Sequence, residues 1–322
     1  MCTAISFNST EHFFGRNLDI ESSYNEKVII MPRNFPLTFR SGKKLARHFA
    51  IIGIAAMVDH FPLYYDATNE HGLSIAGLNF PGNAFYPKPS YEVENIAPFE
   101  LIPWILAQCK TAAEAVGLLK NAVIADISYS SSLPLTPLHW LISDNKESYV
   151  LEPMKDKLHI HFNAIGILTN NPPFPFHKDN LTQYMTLSCD LPINHLAPKL
   201  VLMPFSKGMG AFGLPGDLSS PSRFVRAAFV KENTLNNTHS HSVTQFFHIL
   251  QSVQQPKGCT HSSDGYEFTL YSSCCDAKRG IYYYTTFENT QINAIHMHHT
   301  DLELSTLSIY PLIRNNNINN IN

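Results

Sequence analysis

Residues 49–58 read FAIIGIAAMV, ten positions without a charge or a hydrogen-bonding side chain. A run of this length suits one strand, and its lack of alternation requires cover on both faces. Such a strand forces a layered domain. Strand-like segments surround it: CTAISF (2–7) and HFFGRNLDI (12–20) as a hairpin turning through NSTE, KVIIMP (27–32), and 63–80 with a turn at Asn69-Glu70-His71-Gly72. Helical patterns follow. FELIPWILAQC (99–109) breaks or starts near Pro103, and 111–122 places Thr111 and Glu114 in capping-box spacing.

Strands resume in LHWLISD (138–144), SYVLEPM (148–154), KLHIHFN (157–163) and AIGILTN (164–170). A second helical block spans 220–233, with Pro221 in its first turn, and 242–253. The chain returns to strands at 267–276, 280–289 and 291–299. Blocks of hairpins and helices, rather than β-α-β alternation, predict an α+β fold with antiparallel sheets. Residues 2–313 read as one domain, and the Asn-rich tail 314–322 as disordered.

The net charge of −3 and 15% charged residues predict no nucleic-acid surface. No apolar stretch approaches the roughly 18 residues of a membrane span. Glu11, Arg16, Asp19 and Glu21 come too early for a secretory signal. Six cysteines in 322 residues do not resemble a disulfide framework, and adjacent Cys274 and Cys275 face opposite ways in a strand. A reducing cytoplasm is the simplest location.

Cys2 is an odd choice for packing at a chain end, where ends fray. It makes sense as a first residue after loss of Met1, because an N-terminal thiol carries its own candidate base in the α-amine. Arg16 and Asp19 return beside it on the second strand of the hairpin. Alternation puts Arg16 with Leu18 on one face and Asn17 with Asp19 on the other. The guanidinium could stabilise a thiolate, and Asp19 could orient the amine. Two loops, GLNFPG around Asn79 and LTNNPPF around Asn170 and Asn171, could aim donors at an oxyanion. Each feature has a plain alternative: a start-codon neighbour, a surface ion pair, and ordinary Asn-Pro turns.

MCTAISF, FFGRNLDI, GLNFPG, LHWLISD, GILTNNP, GLPGDLSSPSRFVRAAF, QFFHIL, YSSCCD and GIYYYTTFENTQINAI, in this order from Cys2 to about Pro311, resemble the choloylglycine hydrolase family. The resemblance implies an N-terminal nucleophile hydrolase fold, an αββα sandwich, and cleavage of the amide in glycine- or taurine-conjugated bile acids. It makes Cys2 the nucleophile, bracketed by Arg16 and Asp19. Asn79 would offer its backbone N–H and Asn170 its side-chain amide to the oxyanion, and Arg223 would support the polar network. It also implies a homotetramer. Penicillin V acylase chemistry on the same scaffold, and a non-catalytic bile-acid or lipid carrier, are the competing readings.

No cofactor or metal is expected. His296 and His298 would share a face in a strand, yet histidines in a chain with sixteen of them are mostly surface or packing residues. GMGAFGLPGD lacks the Lys-Ser/Thr ending of a phosphate-binding loop and reads as a mobile segment. The loop from Phe80 to Tyr91 is the expected apolar wall for a steroid body.

Overall fold

The structure, a computed structural model, describes residues 1–8, 11–235, 239–316 and 318–322. Cys2–Asn8 and His12–Ile20 pair antiparallel as the expected hairpin; Ser9 and Thr10 of its turn lie outside the described residues. This hairpin sits inside one antiparallel sheet. Its order is Ile167–Leu168, Cys2–Asn8, His12–Ile20, Gly265–Asp276, Ile281–Thr286 and Asn293–His296, with Thr260–Ser262 paired to Gly265–Asp276.

The second antiparallel sheet runs Leu158–Phe162, Ser148–Pro153, Leu138–Ser143, Ser74–Asn79, Phe61–Asn69, Ile51–Val58, Lys27–Met31 and Ser308–Pro311. The apolar run 49–58 forms the strand Ile51–Val58, third from one edge of this sheet. Its alternate residues serve two cores. Ile52 and Ile54, with Leu78 and Leu141, pack toward the first sheet. Ile51 and Ala55, with Ile75 and Trp140, pack against Ile102, Trp104 and Ile105 of Leu101–Leu106 and Leu119 of Ala112–Leu119. Beyond the first sheet, Phe224 of Ser220–Glu232 and Phe246 and Leu250 of His239–Gln251 close the other side. The layers are therefore helix, sheet, sheet, helix.

Local chemistry sets the element ends. Thr111 caps Ala112–Leu119 by accepting from Glu114 N at 3.1 Å, while the Glu114 carboxylate accepts from Lys110 N rather than from the cap residue. Pro103 neither starts nor breaks its helix; it is the third residue of Leu101–Leu106, where an N–H has no partner to lose. Gly72 turns the 69–72 segment with φ +87°. Gly15 allows its strand to lie against the next, since a Cβ there would meet Ser273 O at 1.9 Å. His296 ends its strand and His298 falls in a 3-10 turn, so the two do not share a strand face. His296 instead stacks on His299, with ring centroids 4.3 Å apart.

Candidate active site

The hairpin register places Cys2 opposite Leu18 and Ala4 opposite Arg16. Paired positions share a face, so the Cys2 and Arg16 side chains both enter the space between the sheets. Arg16 Nη2 donates to Cys2 Sγ at 2.6 Å. Its Nη1 donates to the carbonyls of Tyr65 at 3.1 Å and Gly77 at 2.5 Å, both on the opposite sheet. The guanidinium is fully buried. Burial works against its charge, but Cys2, then Tyr271, Asp66 and Asp19, outweigh burial and push its pKa up. A fixed cation therefore faces the sulfur.

Asp19 lies on the other face, toward the helices. Thr269 Oγ1 donates to Asp19 Oδ1 at 2.6 Å, and Oδ2 is buried without a hydrogen bond. Burial raises the Asp19 pKa against the pull of Arg223 and the chain's N-terminal ammonium. That ammonium, on Met1, donates to Asp19 O at 2.7 Å and to the Glu267 carboxylate.

Asn170 follows the short strand Ile167–Leu168, which pairs with Cys2–Asn8. Its Oδ1 accepts from Cys2 N and from Arg223 Nη2, each at 2.8 Å. Its Nδ2 donates to Asn79 O at 2.7 Å. Arg223, on the first turn of Ser220–Glu232, also donates through Nη1 to Cys2 O at 2.5 Å and Thr3 Oγ1 at 2.6 Å. Asn171 turns away and donates to Pro81 O at 2.6 Å.

Of the six residues singled out from the sequence, Cys2, Arg16, Asn79, Asn170 and Arg223 are joined by hydrogen bonds, and Asp19 is linked to Arg223 and Arg16 through charge alone. Five bring buried side chains: Cys2, Arg16, Asp19, Asn170 and Arg223. Asn79 meets them through its main chain, with its side chain exposed. Sequence reading missed Asp66, which sits behind Arg16 and accepts from Tyr271 Oη at 2.8 Å, Ser273 Oγ at 3.1 Å and Tyr282 Oη. The lone acid inside LYYDATN was its signal. Nothing local marked Thr3, Glu267 or Thr269.

The arrangement can hold a sulfur anion, fix the atoms on either side of it and present amide donors nearby. Among the described residues no group of three or more His, Cys, Asp or Glu side chains could hold one metal ion. No helix among them is long and apolar enough to cross a membrane. A cavity of about 330 Å³ lined by Ser6, Asn8, Ser143 and Lys231 lies at the far end of Cys2–Asn8. Asn8 is six residue steps along the strand from Cys2, roughly 20 Å, so this cavity is not the space in front of the sulfur.

Residues 2–310 match the model of the linear amide C–N hydrolases, choloylglycine hydrolase family. The chain is 52% identical over 314 residues to the bile salt hydrolase/transferase of Lactiplantibacillus plantarum, covering 97% of each. It is 39% identical over 329 residues to that of Clostridium perfringens, covering 100% of each. A crystal structure of a variant conjugated bile acid hydrolase from Clostridium perfringens superposes with a TM-score of 0.93 at 38% identity, covering 100% of both chains. Penicillin V acylase from Agrobacterium tumefaciens gives 0.78 at 19% identity, covering 96% of this chain and 90% of that one, a likeness of fold alone. With its two antiparallel sheets between helical layers, the chain has the N-terminal nucleophile hydrolase fold. It is an enzyme, and it belongs to the choloylglycine hydrolase family of linear amide C–N hydrolases.

Proposed function

We propose that the enzyme hydrolyses the amide of glycine- or taurine-conjugated bile acids, with Cys2 as nucleophile after Met1 is removed. The observation that carries this reading is the Arg16 N–H 2.6 Å from Cys2 Sγ, on a strand whose first amide is held by Asn170. Relatives named bile salt hydrolases support the substrate class.

Loss of Met1 converts the Cys2 peptide N–H into an α-amine. Asn170 Oδ1, which already accepts from Cys2 N, orients that amine, and the Asp19 carboxylate, with its unpartnered Oδ2, adds a negative charge behind it. The amine takes the thiol proton and Arg16 stabilises the thiolate. Sulfur then bonds to the substrate carbonyl carbon, and the carbonyl π pair moves onto oxygen. Asn79 N–H and the second Nδ2 hydrogen of Asn170, whose first goes to Asn79 O, receive that oxyanion. Collapse breaks the C–N bond, and the α-ammonium returns its proton to the departing nitrogen. Water, deprotonated by the same amine, attacks the thioester and expels the thiolate, freeing the bile acid. Arg223 holds Cys2 O and Asn170 Oδ1 throughout.

The loop Phe80–Tyr91 offers Phe85, 42% exposed, and a fully exposed Tyr91 as steroid contacts, while Phe80 is buried in support. Exposed apolar side chains between Met185 and Phe212, among them Ile193, Val201, Met203 and Phe205, support self-association as a homotetramer. Six free thiols, two of them exposed, suit a reducing cytoplasm.

The test is intact mass plus turnover of glycocholate and taurocholate, before and after iodoacetamide. A species lacking Met1, active and silenced by alkylation, is expected, and Cys2→Ser should fold and lose most turnover. A fully active Cys2→Ala enzyme refutes the mechanism. Faster turnover of penicillin V refutes the substrate class, and binding without product points to a carrier.

A further inference from the structure

We infer that His139 and His177 are positioning residues that set the two loops carrying Asn79 and Asn170. The inference rests on reading those asparagines as the oxyanion donors. His139 lies fully buried in the strand Leu138–Ser143, whose first residue pairs with Asn79. Its ring stacks face to face on Phe80, the residue after Asn79, with centroids 4.2 Å apart and planes 4° from parallel. Its Nε2 lies 2.9 Å from Thr169 O, the carbonyl just before Asn170. A carbonyl only accepts, so Nε2 carries the hydrogen. Nδ1 faces Glu152 Oε1 at 3.4 Å, and that same oxygen accepts from Phe174 N at 2.8 Å. One imidazole thus touches both loops.

His177 grips the next carbonyl. Its Nε2 lies 2.9 Å from Asn170 O and must also donate. Burial holds His177 below its ordinary pKa, so the neutral ring has one N–H and uses it here. The ring stacks on Phe224, the neighbour of Arg223, with centroids 4.9 Å apart and planes 19° from parallel. The carbonyls on both sides of the Asn170 Cα are therefore fixed by buried imidazoles. One leans on the Asn79 loop and the other on the Arg223 helix. Fixing both peptide planes fixes the direction of the Asn170 side chain. A displacement near 1 Å at such a donor costs on the order of 100-fold in rate.

His139→Phe keeps the ring on Phe80 and deletes the N–H. His139→Gln restores a donor near Nε2, whereas His139→Asn places one near Nδ1. His177→Phe and His177→Gln repeat the contrast against Phe224. For each variant kcat and KM on a conjugated bile acid are compared with the rate of Cys2 alkylation by iodoacetamide, a reaction that forms no oxyanion. The Phe variants should lose about 30-fold or more in kcat with KM within about threefold and alkylation within about twofold. The Gln variants should recover about tenfold of that loss.

A Phe variant with kcat within threefold of wild type overturns the inference, as does a parallel fall in kcat and alkylation. Where a Phe variant does not fold, equal activity of His139→Gln and His139→Asn overturns it. Failure of the underlying reading looks different: Asn170→Ala would keep the wild-type kcat, or wild-type enzyme would survive alkylation of Cys2, whatever stands at 139 or 177.

Discussion

Acid should loosen this protein through a histidine at the opposite end of the hairpin from Cys2. His12 begins the strand His12–Ile20 and is 4% exposed. Its Nε2 meets Ser6 Oγ at 3.1 Å and Ser143 Oγ at 3.3 Å, while Nδ1 is buried without a hydrogen bond. Burial pushes its pKa down to about 4 against the pull of Asp144 and Asp276. A depressed pKa means the unfolded chain takes up the proton first, so the contribution to stability is complete above pH 6.5 and drains away as pH falls toward 4. The full shift corresponds to about 3.4 kcal/mol. Linkage gives about 1.4 kcal/mol lost by pH 5.5 and about 2.5 by pH 4.5.

Buried carboxyls act in the opposite direction. Glu100 is raised by burial to about 7, and burial also raises Asp19 and Asp66; their stabilising contributions are present in acid and lost as pH rises. The assay is therefore a difference. Urea unfolding of wild type and His12→Gln from pH 7.5 to 4.5 cancels what the two share. Wild type should lose about 2.5 kcal/mol more than the variant across that range. Equal losses would refute the assignment of this acid sensitivity to His12.

Two glycines should respond in opposite directions to alanine. Gly15→Ala drives a Cβ to 1.9 Å from Ser273 O and should cost about 3 kcal/mol or more, read as a fall in Tm. Gly117→Ala, exposed on Ala112–Leu119 with nothing within 4 Å, should stabilise by about 0.5–1 kcal/mol. Arg223→Met removes the donor shared by Cys2 O, Thr3 Oγ1 and Asn170 Oδ1 and should destabilise by about 3–5 kcal/mol while reducing turnover. With its cation gone, Asp19 ionises less readily, so the deficit against wild type should shrink between pH 7.5 and 5.

The parts legible in the sequence are those that local rules determine. Alternation along HFFGRNLDI, together with a hairpin return, was enough to set Arg16 on one face and Asp19 on the other, and pairing then put Arg16 beside Cys2. Choosing Asn170 over Asn171 came from the family resemblance, and the structure gives the physical distinction: one amide meets Cys2 N, the other Pro81 O. What escaped depends on the order of strands. Tyr65 and Gly77 reach Arg16 because two sheets face each other, which no segment encodes by itself. Asp66 finds Tyr282 across 216 positions of chain, and His139 finds Thr169 across thirty. Periodicity told strand from loop, but carries no information about which strand lies next to which.

The seating of Met1 has a consequence for timing. Its ammonium is held by the main chain of Asp19 and by Glu267, a residue of Gly265–Asp276, the strand that flanks the hairpin. Once that strand has docked, the Met1 ammonium is held at Glu267 and Cys2 N donates to Asn170 Oδ1, so presenting Met1 to a peptidase in extended form requires breaking these bonds. The removal of Met1 proposed above is therefore least obstructed while the nascent chain is still short of residue 265. At roughly 5–20 residues per second, synthesis leaves an interval of about 13 to 50 seconds. On the mechanism proposed above, removal of Met1 and docking of this strand compete, and a chain that folds first keeps the Cys2 nitrogen acylated by Met1.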